Sequence, residues 1–217
     1  MTEGVVSVFA SKDVSINGAL GQCYSLNKSK SFVSDKQIGK GKTHSWYLGS
    51  IDDKKTITIL YETKDAETKE QTYFIQMKTS FRHENGDMSV RMVTVQKNWS
   101  SMVPKIAEGF DQEAAIVFLA RLCVHRALIE EQVNIRQWLD TSLIKWASYF
   151  ANYVKNDRMS FSLCDTMKNF PQFIYHLRRS NFINRFNISL DEVTNLIFSL
   201  SFVLIFWEEK QLRIVYQ

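Results

Sequence analysis

The pattern of apolar and polar positions changes period once along the chain. Tyr73, Ile75, Met77, Thr79 and Phe81 alternate with Gln76, Lys78 and Ser80. A period of two predicts an antiparallel strand with one face buried. Glu84-Asn85-Gly86-Asp87 follows, and Asn-Gly supplies the positive φ angles of a tight hairpin, so Ser89 to Gln96 returns as the partner strand. Upstream, Val5–Phe9, Val14–Ile16, Cys23–Leu26, Ser45–Leu48 and Thr56–Tyr61 also read as strands. Short strands separated by turn signals predict a sandwich or a barrel.

From Trp99 onward the period becomes helical. Pro104 suits a first helical turn, where its missing N–H is not needed. Asp111 is the expected N-cap of a helix from Gln112 to Glu131. Apolar residues line two adjacent sides of that helix, which predicts burial over a wide arc. Asn134 with Gln137 has the capping-box pattern for a second helix reaching about Val154. Asp165 is the expected cap of a short third helix, and Pro171 the opening of a fourth that runs through His176 to Arg179. The expected fold class is therefore α+β by segregated modules: an antiparallel β-sandwich over residues 1–98 followed by an all-α helical domain over 99–190. Residues 191–217 form a divergent apolar tail. Within it, Val193 to Trp207 is fifteen residues without a charge, shorter than the ~17 that a spanning helix needs.

Composition narrows the function classes. The chain has 217 residues, 45% of them hydrophobic, and a net charge of +4. Basic and acidic residues are spread over both halves, which argues against a nucleic-acid surface and leaves at most a mildly cationic face. Cys23, Cys123 and Cys164 are odd in number and far apart, so they predict buried reduced thiols rather than disulfides or a zinc site. Met1-Thr2-Glu3-Gly4 has no basic stretch followed by an apolar run, so no signal peptide is expected there. Gly41-Lys42-Thr43 resembles the end of a phosphate-binding loop, but Lys36 stands where that pattern needs its first glycine. His44, His83, His125 and His176 show no ligand or general-base spacing, and no nucleophile elbow or triad is present. No catalytic, cofactor or metal residue is expected.

Two longer stretches carry a resemblance. Phe110-Asp111-Gln112-Glu113-Ala114-Ala115 continues as Ala120-Arg121-Leu122 and Arg136-Gln137-Trp138-Leu139-Asp140. The second stretch runs from Pro171-Gln172-Phe173 through His176-Leu177-Arg178-Arg179 to Phe182. Together they resemble the helical domain of the GTPase-activating inner-coat subunit of the COPII vesicle coat, the Sec-twenty-three family. Ile16-Asn17-Gly18-Ala19-Leu20-Gly21, Ile38-Gly39-Lys40-Gly41-Lys42-Thr43 and Arg91 to Thr94 with Asn98-Trp99 resemble its β-sandwich. The resemblance covers roughly residues 4–193 in one register. The cargo-binding inner-coat paralogue is similar too, and the Arg136–Asp140 and Pro171–Phe182 stretches favour the GTPase-activating subunit.

The resemblance implies a non-enzymatic scaffold of endoplasmic-reticulum-to-Golgi transport, cytoplasmic and peripheral on the endoplasmic reticulum and COPII vesicle membrane. Its implied partners are a Sar-type small GTPase, the cargo-binding subunit and the outer-coat complex, with no nucleic acid. The family supplies an arginine to the GTPase from a gelsolin-like domain, which stabilises charge on the transferred phosphoryl group. That domain, the family's zinc finger and its α/β trunk lie outside the matched stretch, so no catalytic residue and no cofactor is carried over, and the chain is expected to be partial. Its sandwich is then expected to lack strands that the family takes from an earlier segment, leaving unprotected edges. Leu190 stands where the family has proline, and the match vanishes after Val193. A buried helix or read-through of an intron accounts for that tail. Arg178 and Arg179 are candidate contacts for acidic lipid or a partner, against a salt-bridged helix end, since basic residues suit a helix C-terminus.

Overall fold

A computed structural model describes residues 1–52, 55–63, 72–129, 134–180, 183 and 191. The chain divides into two compact units, the first covering Met1–Ser101 and the second beginning at Met102.

In the first unit β1 (Thr2–Ala10), β2 (Val14–Gly21), β3 (Tyr24–Ser25), β4 (Ser45–Gly49), β5 (Ile57–Thr63), β6 (Thr72–Arg82) and β7 (Met88–Asn98) form two antiparallel sheets. One has the order β3-β4-β1-β6-β7, and the other pairs β2 with β5. Alternate residues supply the core: Val6 and Val8 from β1, Trp46 and Leu48 from β4, and Ile75 and Met77 from β6. Ile16, Ala19, Ile57 and Ile59 meet them from the second sheet. A shared core between two sheets makes this a sandwich rather than a barrel.

The hairpin between β6 and β7 differs from the tight turn expected. Arg82 pairs with Met88, so five residues form the loop. Only Gly86 takes a positive φ, 92°. Asn85 is held otherwise: its Oδ1 accepts the Asp87 N–H at 3.1 Å and its Nδ2 donates to the Asp87 carboxylate at 2.7 Å. A side chain that bonds the backbone two residues on builds an Asx-turn, which stabilises this longer loop in place of a two-residue turn.

The second unit contains α1 (Val103–Glu108), α2 (Gln112–Ile129), α3 (Ile135–Phe150), a hairpin of β8 (Asn152–Val154) and β9 (Asp157–Ser162), and α4 (Phe170–Arg179). The caps are those the residue types predict. Asp111 Oδ1 accepts from Ala114 N–H at 3.0 Å, and Asn134 Oδ1 from Gln137 N–H at 3.1 Å. Pro104 and Pro171 both lie in first helical turns. Ala114, Ala115, Phe118, Arg121, Cys123 and Val124 are buried around α2, which therefore loses water over a wide arc. Leu139, Phe170, Ile174 and Leu177 complete the core. Phe110 packs edge-on against Phe170 at 5.2 Å, and Trp146 lies 4.7 Å from Phe170.

Two helix predictions are corrected. The second helix ends at Phe150 and not near Val154, because Ala151 turns extended and Asn156 takes φ 70° to reverse the chain. Asp165 caps no short helix of its own; residues 165–169 form successive turns that lead into α4, with Met167 N–H bonded to Cys164 O and Phe170 N–H to Met167 O. The Asp165 carboxylate accepts from Lys168 Nζ at 3.2 Å instead of capping a backbone. The tail beyond Val193 lies outside the described residues. Among the described residues no helix is long and apolar enough to cross a membrane.

Candidate interaction surfaces

The glycine-rich segment is built for packing. Residues 32–41 run beside β2, with Ile16 N–H bonded to Phe32 O at 2.8 Å, Ser34 N–H to Ile16 O at 2.8 Å and Lys40 N–H to Ala19 O at 2.8 Å. Thus an irregular segment covers the free edge of β2. A Cβ on Gly18 would lie 2.2 Å from Ile38 O, and one on Gly39 2.3 Å from Ala19 O, so both glycines permit a backbone approach that no side chain allows. Thr43 is fully buried. Its hydroxyl accepts from Lys28 N–H at 3.0 Å and donates to Ser45 O at 2.9 Å, leaving it pointed into the fold rather than toward a phosphate.

The histidines lie apart from one another. His44 is buried between Phe9 and Phe32, and its Nδ1 meets Lys28 O at 2.6 Å. His83 Nε2 lies 2.9 Å from Ser89 Oγ, and His176 stacks edge-on with Tyr175. Among the described residues no three His, Cys, Asp or Glu side chains converge as metal ligands. Cys23 and Cys123 are buried as expected, and burial pushes the Cys123 thiol up to about 12. Cys164 corrects the expectation for the third: it is exposed, in the turns that precede α4.

Arg178 and Arg179 close α4 in different ways. Arg178 Nε lies 2.7 Å from Asp140 Oδ1, so the pair ties α4 to α3. Arg179 Nη1 donates to the Tyr175 hydroxyl at 2.9 Å, and its guanidinium lies over the Tyr175 ring at 5.3 Å. Both arginines stand where a helix C-terminus favours positive charge.

Two exposed surfaces escaped the sequence pattern. β7 is an edge of the five-stranded sheet and pairs with β6 over eleven residues without a bulge. Its Met88, Val90 and Met92 are all more than half exposed. The opposite edge, β3, has only two residues, which is how sheets commonly blunt an edge. In the helical unit the β8–β9 hairpin carries exposed Tyr153, Val154, Met159 and Phe161. The helix expected to reach about Val154 would have covered its first strand.

The order and geometry of the two units agree with comparisons to known proteins. Residues 1–100 match the profile described as the Sec23/Sec24 beta-sandwich domain, and residues 111–203 that of the Sec23/Sec24 helical domain, which corrects the expectation that the family match vanishes after Val193. "Protein transport protein SEC23 C" of Arabidopsis thaliana is 35% identical over 199 residues, covering 87% of this chain and 26% of its own length. The crystal structure of the human COPII-coat protein Sec24c superposes with a TM-score of 0.67 at 13% identity, covering 91% of this chain and 24% of that one. At that identity the likeness shows the fold alone. The chain spans about a quarter of the length of these two proteins.

Proposed function

Because the chain belongs to the Sec23/Sec24 family of COPII coat proteins, to which both of its units match, we propose that it acts as the sandwich-and-helical scaffold of an inner-coat subunit. The GTPase-activating branch is favoured over the cargo-binding one, because the match at 35% identity is to a SEC23 protein. In that role the modules hold a peripheral coat subunit on the endoplasmic reticulum membrane beside a Sar-type small GTPase, the cargo-binding subunit and the outer coat. The modules contribute rigid surface, and activation of the GTPase falls to an arginine finger elsewhere in such a subunit. Arg179 is the better candidate for a partner contact than Arg178, whose guanidinium already meets Asp140 at 2.7 Å.

The observation that carries this reading is the continuous match of both modules, in the same order, over most of the chain. Affinity capture of the purified chain with a Sar-type GTPase and with the cargo-binding subunit tests it. Retention of either partner supports the coat role. Loss of both, with a folded chain, removes the coat role and leaves an unassigned binding module.

A further inference from the structure

The β8–β9 hairpin exposes what a folded domain ordinarily hides. Tyr153 is 57% exposed, Val154 63%, Met159 92% and Phe161 51%. It is nevertheless a defined structure. Ser160 Oγ accepts from Val154 N–H at 2.7 Å and donates to Asp157 O at 2.7 Å, and Asp157 Oδ1 accepts from Met159 N–H at 2.9 Å. Isolated two-stranded hairpins are marginal in water, so these bonds fix a tip that contributes no buried side chain to the helical core. Lys155 and Arg158 flank the turn and are exposed. Asp157, the tip's acidic residue, already has its carboxylate bonded within the turn.

We propose that the β8–β9 hairpin is a membrane-contacting tip, seating Tyr153, Met159 and Phe161 at the headgroup level of a bilayer with Lys155 and Arg158 against acidic phospholipid. The proposal rests on the peripheral-coat reading above and names the element that touches lipid. Tyrosine, phenylalanine, methionine and arginine suit a protein interface as well as a bilayer, but Lys155 does not, because protein interface cores are depleted in lysine, whereas the bilayer interface attracts lysine and arginine beside its aromatic side chains. A tip of six side chains also falls well short of the ~20 residues a side that a stable protein interface uses. The ladder is short and shifted in register, with only Asn152–Ser162 and Val154–Asp157 in pairs, which offers little for an added strand.

Sedimentation of the full chain with phosphatidylcholine vesicles, and with vesicles that also contain phosphatidylserine, tests the proposal. Binding is expected to the serine-containing vesicles and not to phosphatidylcholine alone. Removing a basic side chain costs roughly fivefold in affinity, so Lys155→Ala with Arg158→Ala lowers binding by about 25-fold. Met159→Asp reduces it further. Met92→Asp, at a similarly exposed apolar site on the sheet, leaves it unchanged. Thermal unfolding midpoints match the wild type, because the altered side chains face solvent. Equal binding by the hairpin variants, or no binding by the wild type, overturns the proposal. Capture of the coat partners by the same variants separates the two readings: capture without lipid binding rejects only the hairpin's role, and lipid binding without capture rejects only the coat role. Loss of partner capture in hairpin variants whose lipid binding is unaltered reassigns the tip to a protein contact and also overturns it.

Discussion

Gly39→Ala should destabilise the sandwich by about 3 kcal/mol, whereas Lys42→Ala, three residues on, should change it by less than about 0.5 kcal/mol. Gly39 has φ 69°, and an added Cβ would lie 2.3 Å from Ala19 O and 2.6 Å from Leu20 Cδ2. The left-handed conformation alone costs alanine about 1 kcal/mol or slightly more. Relief of the overlap requires the segment to lift from β2, yet Ala19 is fully buried and cannot retreat. Lifting loosens the bonds between Lys40 and Ala19, at 2.8 and 3.3 Å, and the Trp46 indole N–H to Lys40 O at 2.8 Å. Each is worth roughly 1 kcal/mol net, and partial loss of the three brings the total to about 3 kcal/mol. Lys42 is exposed, so its truncation leaves the packing intact. Urea unfolding followed by far-ultraviolet circular dichroism measures both. With an m-value near 2 kcal/mol/M the midpoint of the sandwich transition falls by roughly 1.5 M for Gly39→Ala. A Gly39→Ala protein within 0.5 kcal/mol of wild type refutes the packing account of these glycines, as does a Lys42→Ala protein that loses as much.

Four further outcomes are expected. A disulfide reagent at pH 8 modifies Cys164 quickly and leaves Cys23 and Cys123 protected until the chain unfolds; three equal rates would contradict the burial pattern. Because burial raises the Cys123 thiol from 9.0 to about 12, its stabilising contribution is present below pH 9 and is lost as the pH rises toward 12, so Cys123→Ser should flatten that alkaline loss. Arg178→Ala and Asp140→Ala should each cost at most about 1 kcal/mol, since both side chains are partly exposed, and a double-mutant cycle should return a coupling of that size; Arg179→Ala should be close to neutral. The long unblunted edge at β7 predicts concentration-dependent self-association in light scattering, reduced by Val90→Lys with Met92→Lys, and a monodisperse wild-type monomer would refute it.

The fold was readable where local chemistry and packing agree. Alternation from Tyr73 to Phe81 marked β6 because one face of that strand meets the core. Asp111 and Asn134 marked helix starts because their side chains bond the first free N–H groups. The pattern misled where a helical stripe ran past a reversal. Trp146 and Phe150 belong to α3, but Val154 continues their spacing by coincidence, since Asn156 turns the chain back. Asn156-Asp157 is a turn signal, since asparagine tolerates the left-handed conformation, but it lies six residues past the helix end at Phe150 and does not mark that end. The β2 strand was read three residues long and has eight, because Asn17, Gly18 and Ala19 break the apolar pattern. The backbone of these residues meets the irregular segment 36–41, where Gly18 permits the close approach and Ala19 also enters the core, so smallness and hydrogen bonding matter as much as apolarity. The candidate surfaces were less legible. A salt-bridged helix end is among the readings of Arg178 in the sequence, but its partner Asp140, nearly forty residues away, is visible only in the fold. The exposure of Met159 is equally invisible to periodicity, because only the fold decides which apolar residues go uncovered.

The central claim is that these two modules serve as the scaffold of a COPII inner-coat subunit. The most direct measurement is capture of the purified full chain by immobilised cargo-binding subunit and by a Sar-type GTPase loaded with GTP or with GDP. The account predicts retention on the cargo-binding subunit, or on the GTP-loaded GTPase in preference to the GDP-loaded form. A folded chain retained by neither contradicts it.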